Sequence, residues 1–171
     1  MCIDFIALKK ALVITRLTQV QVDSINAILE ECKLQGVVIK NQVAYILATA
    51  WHESYFKPII ESGGVAYLKS KPYYPFYGRG FIQLTWEDNY KKEGDRLGID
   101  LVSNPDKALE IPIAANIIVH GMKYGTFTGK KLSDYITSTK TDFQTARRII
   151  NRLDKAALIA GYAFKIAKCL S

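Results

Sequence analysis

Apolar residues recur at three- and four-residue intervals through much of the chain, and that period commits it to helices rather than strands. The clearest run is Val22, Ile25, Leu29 and Cys32. Thr18 with Gln21 precedes it in the pattern of a capping box, and Gly36 follows it as a stop. Asn41 reads as the cap of a second helix whose buried stripe is Ala44, Leu47, Ala48 and Trp51. That helix runs out at His52-Glu53-Ser54, since Lys57-Pro58 forbids its continuation. Later starts are expected at Thr85 with Asp88, at Asn104-Pro105, at Pro112 and at Thr141 with Gln144, with Gly98 as a stop. A final amphipathic helix is expected over about Asp154 to Lys168. The sum is six to eight helices with little strand.

The 171 residues suit one domain over 1–171, with 1–17 a short N-terminal segment of uncertain role. Three cysteines, Cys2, Cys32 and Cys169, are an odd and widely spaced set, which argues against a disulfide framework. No run approaches the ~18 to 20 apolar residues of a membrane span, and Asp4, Lys9 and Lys10 interrupt the N-terminal apolar stretch. The expectation is a protein without signal peptide or membrane insertion, so a substrate outside the cytoplasm would need a separate means of release. Between Lys123 and Lys168, ten Lys or Arg face three Asp, an excess equal to the whole net charge of +7. Such a face suits a polyanionic partner, an acidic envelope or nucleic acid, or simply a solvated surface. No nucleic-acid motif is present, so no nucleic-acid partner is expected, and the chain reads as a monomer.

Residues 55 to 80 differ in kind. Gly63, Gly64, Gly78, Gly80, Pro72 and Pro75 are interleaved with Tyr67, Tyr73, Tyr74, Phe76 and Tyr77. This reads as a long irregular functional segment with a short hairpin around Gly63-Gly64. His52-Glu53 begins the zinc motif H-E-x-x-H, but Phe56 stands in the fifth position and the other histidine is distant His120. No metal or other cofactor is therefore expected. Glu53 lies where a buried helix meets the aromatic loop, and a carboxyl beside apolar surface is held protonated, ready to act as a general acid. The bland alternative is a solvated glutamate at a helix end. In Tyr77-Gly-Arg-Gly-Phe-Ile-Gln-Leu-Thr85, the glycines flank Arg79 where backbone turns or approaches closely, and Gln83 must find partners within an apolar stretch.

Together these blocks resemble the family 19 glycoside hydrolases, a chitinase-like fold that includes many bacteriophage endolysins. The resemblance rests on Ala50-Trp-His-Glu-Ser54, the Tyr77–Thr85 block, Asn89-Tyr90, Asn104-Pro105 and Arg148-Ile-Ile-Asn151, in family order. It implies a mostly α, lysozyme-like domain of two helical lobes with a cleft and at most a small β-hairpin. It implies Glu53 as general acid with His52 beside it, and Gln83 and Asn89 lining the sugar cleft. Thr85 holds the attacking water or caps its helix, and Asn151 lies near the cleft. Tyr77 and Arg79 join the substrate-binding set, more by shaping the loop than by touching the reacting centre. The family's second carboxylate lies in a longer loop whose motif is absent here. Glu61, the one acidic residue between Glu53 and Trp86, is nominated by elimination. An inverting mechanism then requires the carboxyl groups to lie roughly 6.5 to 9.5 Å apart.

The resemblance implies an endolysin-type hydrolase, made in the host cytoplasm and acting on the cell wall after release, that cleaves β-1,4 bonds of peptidoglycan, with chitin as the other substrate. A lytic transglycosylase, which needs one catalytic carboxyl, is a rival enzyme. A basic non-catalytic wall or nucleic-acid binder is the rival outside enzymes.

Overall fold

The computed structural model describes residues 1–171. It is built from eight helices and one two-stranded sheet. The N-terminal segment turns out to be structural: α1 (Phe5–Leu12) starts at Asp4, whose Oδ1 accepts from the Ile6 and Ala7 backbone N–H groups at 2.8 and 3.0 Å. Leu8 is wholly buried, and Cys2 and Ser171 exchange two backbone hydrogen bonds, so the chain ends close on each other.

Helix α2 (Gln19–Leu34) has the expected Thr18–Gln21 capping box. The Gln21 amide also donates to the Tyr55 carbonyl at 2.9 Å, tying the start of α2 to the end of α3 (Lys40–Ser54). Asn41 does not cap α3. Ile39 is the boundary residue, and Asn41 Nδ2 instead donates to Thr141 Oγ1. Every residue from Val43 to Ala50 is buried, so the expected single stripe is replaced by burial all round. A helix apolar on every side belongs at the centre of a domain, and α3 indeed packs on α2, α6 and α8.

After α3 the chain passes through Tyr55 and Phe56, both left-handed. The hairpin expected around Gly63-Gly64 is absent there. That stretch opens α4 (Gly64–Lys69), and the antiparallel pair is β1 (Ile59–Ile60) with β2 (Arg79–Gly80), which close the base of the aromatic segment. Gly63, at φ 135°, leaves no room for a side chain, since a Cβ would stand 2.2 Å from the Tyr67 ring.

The rest is α5 (Glu87–Leu97), α6 (Ile111–Tyr124), α7 (Leu132–Tyr135) and α8 (Ala156–Ala167), with 3₁₀ turns over Pro105–Leu109 and Thr145–Ile149. Pro112 opens α6 and Gly98 ends α5 as expected. Thr85 does not cap α5, because Trp86 occupies that position and the Thr85 hydroxyl turns back to the Gln83 carbonyl. Thr141–Gln144 forms no capping box either. Asp142 Oδ1 accepts from Thr145 N–H and starts the 3₁₀ turn.

Buried apolar side chains separate into two cores, which define the two lobes. The larger draws on α1, α2, α3, α8 and part of α6. The smaller holds Phe76, Leu84, Tyr90, Leu101, Ala108, Ile113 and Ile117. Ile82 and Phe127 touch both and mark the seam. The mostly helical, two-lobed domain with a minimal hairpin is thus the architecture found. No helix is long and apolar enough to cross a membrane.

Candidate active site

Glu53 sits in the last turn of α3, its side chain 22% exposed. Its surroundings are not the apolar surface expected from sequence. Arg147 Nη1 donates to Glu53 Oε1 at 2.5 Å, and the Arg147 side chain is only 4% exposed. Arg147 Nε donates in turn to the Asp154 carbonyl, which fixes the guanidinium. Removing one partner of such a pair strands the other charge out of water. Glu53 Oε2 takes no hydrogen bond from the protein. His52, alongside, is half-buried, and that burial holds its pKa below the ordinary 6.5, against the upward pull of Glu53. Arg147 was missed by the sequence reading, which took Arg148 as the start of the late block. Position 147 carries no local signal, because only tertiary packing places its side chain against α3.

Glu61 follows β1 directly. Its Oε1 accepts from the Tyr73 hydroxyl at 2.7 Å and its Oε2 from Gly78 N–H at 3.0 Å. The bond to Glu61 pushes the Tyr73 phenol up to about 12. The Tyr73 ring stands edge-on to Trp86, with centroids 5.3 Å apart, so the aromatic segment and the start of α5 share one face.

The Tyr77–Thr85 block supplies structure before chemistry. Arg79 is 3% exposed, and its guanidinium is engaged through Nε and Nη1. Nη1 donates to the Pro75 and Tyr77 carbonyls and to Tyr90 OH, Nε donates to Asp106 Oδ1 at 2.8 Å, and the group lies 3.8 Å over the Tyr77 ring. Arg79 holds the loop, with Tyr77 as its stacking partner. Gly78 is needed for close approach, since a Cβ there would lie 2.8 Å from Gln83 Oε1.

Gln83, Thr85 and Asn89 are brought together, lining a cavity of about 170 Å³ with Trp86, Phe127 and Ile150. Gln83, at φ 57°, donates through Nε2 to the Ile59 and Gly80 carbonyls, and Asn89 Nδ2 donates to the Thr85 carbonyl at 2.7 Å. Asn151 lies in an adjoining groove that shares Ile150, and its Oδ1 accepts from Arg152 N–H. Neither space is lined by His52, Glu53 or Glu61, but the turn bearing Arg147 runs directly into Ile150. Glu93 was also missed. It is buried, paired with Arg96 at 2.5 Å, and lines the Gln83 cavity. Its place four residues after Asn89, on the same helix face, was a readable signal.

A larger cavity of about 560 Å³ between Met1–Phe5 and α2 is mostly apolar, and its charged side chains, Glu30 and Lys33, lie 3.8 Å apart. No three His, Cys, Asp or Glu side chains converge anywhere, and His52 and His120 stand on different helices.

Residues 61–136 match the family model described as Chitinase class I, of the family 19 glycoside hydrolases. The matched segment contains Glu61 and the whole Tyr77–Thr85 block, whereas His52, Glu53 and Asn151 lie outside it. Chitinase 11 of Oryza sativa subsp. japonica is 56% identical over 41 residues, 24% of this chain and 16% of that protein. Endochitinase At2g43610 of Arabidopsis thaliana is 37% identical over 90 residues, 47% of this chain and 31% of that protein. The chain thus spans less than a third of the length of either relative. Chitinase C from Streptomyces griseus HUT6037 aligns at 22% identity over 93% of this chain and 76% of its own, with a TM-score of 0.43.

Proposed function

From the match of residues 61–136 to the family 19 glycoside hydrolases, we propose that this chain hydrolyses β-1,4 bonds of an aminosugar polymer, with bacterial peptidoglycan as substrate. The observation that carries the reading is the gathering of Gln83, Thr85 and Asn89 in one cavity beside Trp86. Amide and hydroxyl groups there match sugar hydroxyl and acetamido groups, and the half-exposed indole offers a face to a sugar ring.

In this mechanism Arg147 engages Oε1 of Glu53, so the proton to be donated sits on Oε2, the oxygen free of protein partners. Oε2 gives it to the glycosidic oxygen as the bond from that oxygen to C1 breaks. Water attacks C1 from the opposite face and passes a proton to Glu61, giving inversion. Tyr73 and Gly78 N–H hold the Glu61 carboxylate in one orientation for that step.

Mass spectrometry of fragments released from purified peptidoglycan, wild type against Glu53→Gln, tests the proposal. New reducing ends from wild type, reduced ~10²-fold or more in Glu53→Gln, are expected, and the terminal sugar names the bond. Anhydro ends would reassign the chemistry to transglycosylation and remove Glu61 from its role. Release of no fragments would sink the peptidoglycan claim. The relatives are named chitinases, so chitin oligomers are the second substrate to assay.

A further inference from the structure

Beside the candidate cleft lies a groove of about 610 Å³ whose walls include Thr128, Lys130, Arg148, Asn151 and Arg152. Ile150 belongs both to this groove and to the Gln83 cavity, so the two spaces adjoin. The groove contains three cations and no acid. None of the three cations takes part in an ion pair, unlike Arg79, Arg96 and Arg147. Thr128 ties the two walls together: its hydroxyl lies 2.7 Å from the Arg148 carbonyl and 3.0 Å from that of Ile149. Asn151 uses its Oδ1 on Arg152 N–H, which leaves its Nδ2 hydrogens without a protein acceptor.

The surface is therefore rich in donors and poor in acceptors. The contrast with the adjoining cavity matters, because there Gln83, Thr85, Asn89 and Glu93 mix both kinds. Sugar hydroxyls donate and accept, so a mixed lining suits them. A carboxylate only accepts, and a one-sided lining of Arg and Lys suits it. A concave surface of one sign also concentrates its counter-ion.

We propose that the Lys130–Arg148–Arg152 groove binds carboxylate substituents of an acidic glycan strand while the sugars occupy the neighbouring cleft. This rests on the cleft being a glycan site, as proposed above, and not on which bond is cut. It gives the chain a reason to prefer an acidic, peptide-bearing glycan over a neutral one.

Calorimetric titration of the full chain at low salt tests it with three probes. These are a disaccharide–peptide with free carboxylates, the same molecule with its carboxylates amidated, and the disaccharide carrying only its lactyl acid. Wild type is expected to bind the free-acid form about tenfold tighter than the amidated form, with the contrast shrinking as salt rises. In K130Q/R148Q/R152Q, checked for native circular dichroism, the two forms should bind within about twofold. R152Q alone, on an exposed side chain, should lose part of the contrast. If the lactyl probe matches the free-acid form, the contact lies at the sugar. If it matches the amidated form, the contact lies in the peptide.

Equal affinity for free and amidated forms in wild type, or a contrast unchanged in the variants, would overturn the proposal. So would a polyphosphate of equal charge binding as tightly as the free acid, since that marks an unselective polyanion surface. Wild type that cuts peptidoglycan but shows no contrast overturns the groove alone. Contrast without any cleavage keeps the groove and removes the hydrolase.

Discussion

Gly121, inside α6, couples the two lobes through Phe127, and replacing it with alanine measures that coupling. In isolation Gly→Ala in a helix interior stabilises by about 1 kcal/mol. Here the new Cβ would stand 1.9, 2.2 and 2.6 Å from Phe127 Cζ, Cε2 and Cε1. Carbon contacts settle at about 3.5–4.0 Å, so the ring must retreat by roughly 1.5–2 Å. Phe127 packs against both cores and forms a wall of the Gln83 cavity, which leaves it little freedom to move. Overpacking of this kind costs about 1–3 kcal/mol, outweighing the helical gain. G121A should therefore be destabilised by up to about 2 kcal/mol. With the ring removed, the clash goes and the helical gain remains, so G121A on an F127A background should stabilise by about 1 kcal/mol. Urea unfolding reads both, since 1 kcal/mol moves the midpoint by ~0.5 M at a typical m value. A midpoint raised equally by G121A with and without Phe127 would refute the packing of that ring against α6.

Arg79→Ala should destabilise by about 2–4 kcal/mol, because charge-assisted bonds to the Pro75 carbonyl and Tyr90 OH are lost from a buried site. The bond to Asp106 adds little, since that side chain is 74% exposed; a loss below about 1 kcal/mol in urea would contradict the loop-holding role. Burial depresses both His52 and His120 below the ordinary 6.5. Between the two values the unfolded chain binds more protons, so their contribution is full above about pH 6.5 and is lost as pH falls through the folded values. Melting temperature should thus be flat from pH 8 to about 6.5 and fall toward pH 5, and H52Q/H120Q should flatten that fall. A wild type that melts higher on acidification through this window would show the sign to be wrong.

Local chemistry decided a large part of the fold. The Thr18–Gln21 box, Gly98, Pro112 and the apolar period each act through near neighbours or the backbone's own geometry, and each is found where sequence places it. Gln83, Thr85 and Asn89 were grouped only through the family resemblance, and the fold lines one cavity with all three. The failures share a cause. Asn41, Thr85 and Thr141 have side chains suited to capping, but each found a different partner, Asn41 and Thr141 each other across 100 residues. The hairpin was misplaced because pairing of Ile59–Ile60 with Arg79–Gly80 is a contact between distant segments, which turn residues at Gly63-Gly64 do not reveal.

What the sequence determined by itself was therefore the helical period and those helix ends that are set by short-range bonds. Only the tertiary structure decided the environment of each group in the candidate site. Burial set the Arg79 guanidinium against the Pro75 and Tyr77 carbonyls, where it holds the loop. Packing of the Thr145–Ile149 turn onto α3 set Arg147 against Glu53, 94 residues away. Folding also left Lys130, Arg148 and Arg152 on one groove without counter-charge. Charge state, partner and exposure depend on distances in space, and a linear pattern carries those only for neighbours along the chain.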